Sequence, residues 1–201
     1  MPQIRKSSRW SRYDPTSKLW IKGKLIYLYW FKFLQYAEMD PNKTVNWKKY
    51  PYWGGSEVVS NTKFDAWWRP RWKRLFGYQD PTNPDPMFCP TYPHRLDAIR
   101  YALRFYELQQ SGITDKWELA KEFAKEEHPR RREIAKRKGI EYDEIEADKW
   151  IFNTARASVY RRLGDNHPYL ADQKRLIQSR VGRILSRVDQ ILNNVCEGKF
   201  P

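Results

Sequence analysis

The chain of 201 residues fits one domain or at most two small ones, since globular domains usually run to about 100–200 residues. It carries 38 Lys and Arg against 24 Asp and Glu, a formal charge of +14, which favours anionic partners. Its 10 Trp, 13 Tyr and 9 Phe argue against a disordered chain, because disordered segments lack that much aromatic surface. The composition therefore predicts a folded, basic, aromatic-rich protein.

Several classes of protein are excluded by pattern. Residues 1–12 are basic, but no clean apolar core with a cleavage site follows them, so a cytoplasmic protein is expected. The most apolar run, residues 25–31, is too short to cross a bilayer. Cys89 and Cys196 form no CxxC motif and the three histidines lie far apart, so we expect no disulfide framework, no metal and no cofactor.

Residues 1–77 are predicted to form a basic, aromatic-rich helical region, with 16 Lys and Arg against 5 acids. A long helix is expected from Ser17 to Glu38, with Asp40-Pro41 ending it. Aromatic residues cover all sides of that helix, which indicates burial against other helices or another subunit. These residues are Tyr27, Tyr29, Trp30, Phe31 and Phe33.

Residues 41–61 read as irregular, and a second helix is predicted over 63–76 with Gly77 after it and Pro70 kinking or splitting it. Aromatic rings recur every four residues on one side of this helix and are expected in a core rather than stacked on bases. They are Phe64, Trp68, Trp72 and Phe76. The cations left outside would contact phosphates. These are Arg69, Arg71, Lys73 and Arg74.

Residues 78–94 are predicted to be a Pro-rich linker or strap, since five prolines stand between residues 80 and 93. Residues 95–201 would then form a helical domain. Its first helix is expected over 95–110, with an apolar stripe of Leu96, Ile99, Leu103 and Tyr106. Thr114 or Asp115 is expected to cap the next helix, with Pro129 following its end.

A further helix is predicted over 148–163, and the longest apolar pattern comes last. Apolar residues step by four and three along a C-terminal amphipathic helix, which is typical of a packed helical seam. They are Ile177, Val181, Ile184, Val188, Ile191 and Val195, with Leu185 and Leu192 widening the stripe. An arginine edge runs beside this seam and consists of Arg180, Arg183 and Arg187.

Two segments carry a resemblance to a known family. Residues 117–123, Trp-Glu-Leu-Ala-Lys-Glu-Phe, resemble the first helix of a helix-turn-helix, and residues 155–163, Ala-Arg-Ala-Ser-Val-Tyr-Arg-Arg-Leu, resemble the recognition helix of that DNA-binding superfamily. Residues 124–154 separate the two segments. Either this stretch is an insertion between the two helices of the motif, or the resemblance reflects only the general character of amphipathic helices. The resemblance implies base or phosphate contacts from the second segment. The residues are Arg156, Ser158, Tyr160, Arg161 and Arg162, although Arg161 and Arg162 are equally explained by solvating the helix end.

An enzyme is the weaker interpretation. The acids Asp143, Glu144, Glu146 and Asp148 suit a Mg²⁺-dependent nuclease by residue type, but such runs are usually solvated, and no phosphate-binding glycine loop is present. The sequence therefore predicts a mainly α, multi-helical protein with an irregular aromatic and Pro-rich segment. We expect a non-enzymatic nucleic-acid-binding protein, with double-stranded DNA favoured, that acts as a regulator or accessory factor of a bacterial or phage genome. The alternative is an assembly subunit of a phage particle or nucleoprotein complex, with protein partners or further copies bound through the C-terminal helix and the aromatic region.

Overall fold

The computed structural model describes residues 18–75, 96–143 and 168–200, with side chains for 24–72 and 75, for 96–143 and for 174–200. Over these ranges the chain is mainly helical and contains no strand, so the predicted fold class is confirmed. The predicted linker and the predicted helix at 148–163 lie outside the described residues.

The described residues form helices joined by turns and loops. They are α1 (Lys18–Met39), α2 (Gly55–Asn61), α3 (Phe64–Trp68), α4 (Trp72–Leu75), α5 (Leu96–Gln110), α6 (Lys116–Lys138) and α7 (Pro168–Cys196), with a 3-10 turn at Trp47–Lys49. The first unit of the fold comprises the described residues up to Arg100 together with those from Asp189 onward, and the second unit is formed within Tyr101–Val188. The boundary between units therefore falls inside α5 and inside α7.

The core of the first unit is built from aromatic rings. The five aromatic residues predicted to be buried on α1 are all buried, which confirms that prediction. Trp53 lies at the centre, with its ring centroid 5.3 Å from that of Trp30 and 4.6 Å from that of Trp67. The Trp67 indole N–H also donates to the Trp53 carbonyl at 2.7 Å. Ring packing and this hydrogen bond thus connect α1, the loop at Trp53 and α3.

Two expectations for this unit are wrong in detail. Residues 41–61 were expected to be irregular, but α2 forms directly after Gly54, whose φ of 96° suits glycine. Packing explains the helix, because Val59 is fully buried and its carbonyl accepts a hydrogen bond from Gln35 of α1 at 2.8 Å.

The second difference concerns which tryptophans are buried. The four-residue period selected Phe64, Trp68 and Trp72, yet Trp67 is fully buried beside Trp68, while Phe64 and Trp72 are half-buried. The chain leaves the helix at residues 69–71, as Pro70 predicts, so a single helical period does not extend across the break. Phe76 and Gly77 lie outside the described residues.

The second unit is a packed set of helices. Its core is formed by side chains of α5, α6 and α7. Phe123 is central, with its ring 4.6 Å from that of Phe105 and 4.9 Å from that of Tyr101. The other members of this core are Leu108, Leu119, Ala120, Ile177 and Val181, and Ile184 and Leu185 pack against them. On α7 the predicted seam is confirmed, since all the residues of the stripe are buried except the half-buried Ile184 and Leu185.

The start of α6 was predicted correctly and its end was not. The Asp115 carboxylate accepts the backbone N–H groups of Trp117 and Glu118 at 2.9 and 3.0 Å, as an N-cap should. The helix then continues through Pro129 to Lys138, where Gly139 ends it with a φ of 65°.

A buried ion pair accounts for the continuation of α6 past Pro129. Glu127 is only 2% exposed and accepts from Arg130 at 3.1 Å and from Arg131 at 3.0 Å. Arg131 also donates to the Tyr101 hydroxyl. Helical geometry after Pro129 keeps both arginines on the Glu127 carboxylate, and a buried charge without a partner costs about 3–5 kcal/mol, which is comparable to the cost of an interior proline.

We expect Phe123→Ala to destabilise the second unit by about 3–5 kcal/mol, because it removes the central ring and leaves a cavity between packed helices. Urea denaturation followed by circular dichroism measures the change. Lys136→Ala, at an exposed position of the same helix, is the control and is expected to stay within about 0.5 kcal/mol of the parent. Equal effects of the two substitutions would contradict the assigned core.

Because of Tyr50, we expect the first unit to lose stability at alkaline pH. Its buried hydroxyl accepts from the Trp30 indole N–H at 3.0 Å and donates to the Val195 carbonyl, and burial raises the pKa of Tyr50 above its ordinary value. Above about pH 10 the unfolded phenol ionises while the folded one stays neutral, so the free energy of unfolding falls as pH rises. We expect a loss of up to about 1.4 kcal/mol per pH unit from this group.

The Tyr50→Phe variant isolates this effect. It is expected to be less stable than the parent at neutral pH by about 1–3 kcal/mol, because two buried polar groups lose their partner. Above pH 10 the difference between the two proteins is expected to shrink. Denaturant melts at several pH values measure it, and a difference that stays constant with pH would contradict the assignment.

Candidate nucleic-acid interface

The outward side of α7 within the second unit is polar and basic. The burial of Ile177 and Val181 leaves the sides of the helix that point away from them in solvent. Leu176 is exposed there. Five exposed polar residues stand around it at helical spacing, and we call them the α7 basic face: Arg175, Ser179, Arg183, Ser186 and Arg187. From the first to the last they span about 18 Å along the helix axis. The sequence has no acid between Asp172 and Asp189, so the face has one sign of charge.

Two lysines that the sequence pattern does not single out, Lys116 and Lys174, add to the positive charge of the second unit. Lys116 begins α6, and its ammonium nitrogen lies 3.3 Å from where a side-chain carbon of Gly182 would stand. The absence of a side chain at Gly182 thus gives the Lys116 chain room beside α7. Lys174 lies over the Trp117 ring, 5.8 Å from its centroid. No local pattern reveals these contacts, because they join residues of two different helices.

The three arginines of the predicted edge differ in exposure. Arg183 and Arg187 are exposed, and no carboxylate of the described chain pairs with either. Arg180 is half-buried, and its Nε is buried without a hydrogen-bond partner among the described residues. Arg183 and Arg187 are therefore the members of the edge that are available to an anion.

Four arginines of α6 contact other residues of the chain. Arg130 and Arg131 bind Glu127, Arg137 pairs with Glu133 at 3.1 Å, and the Arg132 guanidinium lies 5.4 Å from the centroid of the Tyr142 ring. These contacts occupy the guanidinium groups within the chain. The number of basic residues in α6 is therefore larger than the number available to bind a partner. The contrast with the exposed arginines of α7 favours the α7 basic face as the interface.

The basic residues around Pro70 also divide into two kinds. Arg69 is exposed. Arg71 donates to the carbonyls of Tyr52 at 3.2 Å and Trp67 at 3.0 Å and lies 5.9 Å from the centroid of the Trp67 ring. Burial lowers the pKa of Arg71. Arg71 therefore stabilises the turn before α4. The side chains of Lys73 and Arg74 are not among those described, although both residues belong to α4.

The helix-turn-helix resemblance stays a prediction. Its first segment forms the beginning of α6, where Leu119, Ala120 and Phe123 are buried in the core of the second unit. Its second segment, which includes Arg156, Ser158, Tyr160, Arg161 and Arg162, lies outside the described residues.

Of the four acids that suggested a nuclease, the structure describes only Asp143. Asp143 is exposed, and Glu144, Glu146 and Asp148 lie outside the described ranges. Within the part of the chain that the structure describes, no three His, Cys, Asp or Glu residues come together as a metal site. The helices described there also include none that is long and apolar enough to span a membrane.

Comparisons with protein-family models, with curated proteins and with solved structures gave no match.

Arg71 and Arg69 provide a matched pair for testing the division between structural and available cations. Arg71→Ala is expected to destabilise the first unit by about 1–3 kcal/mol, because two carbonyl groups lose a charged donor. Arg69→Ala removes the same charge from an exposed site and is expected to change stability by less than about 0.5 kcal/mol. Urea denaturation of both variants measures the difference, and similar losses would contradict the role given to Arg71.

Proposed function

We propose that this protein binds double-stranded DNA through the α7 basic face and does so without catalysing a reaction, as a regulator or accessory factor of a bacterial or phage genome. The observation that carries the proposal is the set of exposed arginines on one side of α7, without an acid among them and without an ion-pair partner among the described residues for Arg183 and Arg187.

The residue types suit a DNA groove. An arginine guanidinium forms paired hydrogen bonds with a phosphate or with the O6 and N7 atoms of guanine, and a serine hydroxyl bonds to either. Arg183 and Arg187 are four residues apart and thus neighbours on the helix surface. Both are held by a helix whose inner side is fixed in a core, so little conformational freedom of the backbone is lost when they bind.

The shape of the face favours DNA over RNA. The major groove of B-form DNA is about 12 Å wide and admits an α-helix. The major groove of A-form RNA is narrow and deep, and side chains on a helix do not reach its bases. An exposed stretch of the helix α7 therefore fits duplex DNA better than duplex RNA.

We expect binding to a DNA duplex to weaken as salt rises, with log K falling by about 0.9 per tenfold change in salt for each phosphate contacted. An Arg183→Gln, Arg187→Gln double variant is expected to bind at least about tenfold more weakly, and two lost phosphate contacts would reduce the slope by about 1.8. Fluorescence anisotropy of a labelled duplex at several salt concentrations measures both quantities.

The matched control removes two charges from α6. Lys121 and Lys125 pair with Glu118 and Glu122 at 2.7 and 2.5 Å, so neutralising them lowers the net charge equally while removing cations that are already paired. A Lys121→Gln, Lys125→Gln variant is expected to keep most of the affinity. Equal losses in the two double variants would show that only net charge matters and would contradict the proposed face.

Sedimentation with and without DNA tests the assembly alternative. A monomer or dimer that shifts only when DNA is added supports the proposal. Large assemblies of protein alone, unaffected by DNA, would instead support a structural subunit whose positive charge meets an acidic protein neighbour.

A further inference from the structure

One large apolar side chain is exposed among the polar residues on the outward side of α7. Leu176 is 52% exposed, and the residues of the α7 basic face surround it. A single exposed apolar residue on a protein surface is ordinary, so exposure alone does not point to a ligand. The position of Leu176 relative to the available arginines does.

Leu176 lies on the same line along the helix as Arg183 and Arg187. At about 100° per residue, these three side chains leave the helix in directions that differ by at most about 40°, with Leu176 between the two arginines. Arg183 comes seven positions after Leu176, which is about 10 Å along the helix axis. A partner that contacts both arginines along this line therefore meets Leu176 as well.

Core packing holds Leu176 in the solvent. Ile177 and Val181 are buried among side chains of α5 and α6, and on the helical wheel Leu176 points about 100° away from Ile177. A rotation of α7 that buried Leu176 would bring the seam towards water. The Leu176 side chain is thus available to a bound partner, and contact with a partner would favourably remove apolar surface from water.

A partner for this line must combine negative charge with an apolar group, and duplex DNA offers both. The phosphates carry the charge that Arg183 and Arg187 attract. In the major groove the base edges present hydrogen-bond donors and acceptors, and the apolar group among them is the C5 methyl of thymine. A leucine placed against any other base edge would displace water without replacing its hydrogen bonds.

We propose that Leu176 contacts the methyl group of a thymine in the major groove and gives the protein a preference for thymine at that position. This inference rests on the proposed function, because it requires α7 to lie in the groove. With base pairs about 3.4 Å apart along the duplex, the thymine lies about three base pairs from the position that Arg183 contacts.

Replacing thymidine by deoxyuridine tests the contact, because it removes the methyl group and keeps the base pairing. The duplex carries the site that the protein enriches from a random library. The parent protein is expected to bind the thymine duplex about fourfold more tightly than the uracil duplex, which corresponds to the burial of one methyl-sized group. Leu176→Ala is expected to bind the two duplexes equally. Fluorescence anisotropy at one salt concentration measures all four affinities.

Ile140→Ala is the matched control. Ile140 is 60% exposed at the end of α6, so the variant removes a comparable apolar side chain from the same unit. It is expected to keep the fourfold preference for the thymine duplex. Because Leu176 is exposed, Leu176→Ala is expected to unfold at the same urea concentration as the parent, and a lost preference in a stably folded variant supports the contact.

The outcomes separate this inference from the proposed function. A preference that persists in Leu176→Ala, a parent that binds both duplexes equally, or a library that yields no enriched thymine would overturn the contact and leave DNA binding by Arg183 and Arg187 intact. Failure to bind any duplex would overturn both proposals. If Leu176→Ala instead changed the sedimentation of the protein without DNA, Leu176 would belong to a protein interface and the thymine contact would be overturned.

Discussion

The burial of one side of α7 against α5 and α6 determines which of its polar residues face solvent. Val181 is fully buried in the core that Phe123 organises, and the helical period then leaves Arg183 and Arg187 outside. The alternative rotation would expose the apolar seam and bury several arginines, at a large cost in solvation. The packing of the core is thus enough to determine which polar residues of α7 are exposed.

The positive charge of the chain serves different purposes at different places. Arg71 holds two carbonyls in the turn before α4, and Arg130 and Arg131 hold a buried carboxylate. Arginine suits these tasks because its planar group directs several N–H donors at once. Arg183 and Arg187 have the same side chain without these internal contacts. The excess of +14 therefore does not describe one uniform surface, and the distribution of partners within the chain tells more about function than the total.

The sequence predicted the features that depend on local pattern. Helices α1, α5 and α7, the cap at Asp115 and the break at Pro70 all follow from apolar period and turn chemistry within a few residues. The continuation of α6 past Pro129 was not predictable in this way, because it depends on Glu127 and on its contact with Tyr101 of another helix. The helix at α2 likewise depends on Gln35, more than twenty residues earlier.

The same distinction applies to the candidate sites. A helical wheel is enough to place Arg183 and Arg187 on an edge beside the seam of α7. Tertiary contacts were needed to find Lys116 beside Gly182 and the structural use of Arg71.

The dense aromatic core of the first unit also has an optical consequence. Trp30, Trp53, Trp67 and Trp68 form a continuous chain of ring contacts, with centroids 4.6 to 6.4 Å apart along it. Indoles this close exchange excitation energy and couple their electronic transitions, so their absorption and emission belong to the group rather than to single residues. Trp117 of the second unit packs against that unit's own core instead. The near-ultraviolet circular dichroism of these coupled rings is therefore a built-in reporter of tertiary order in the first unit.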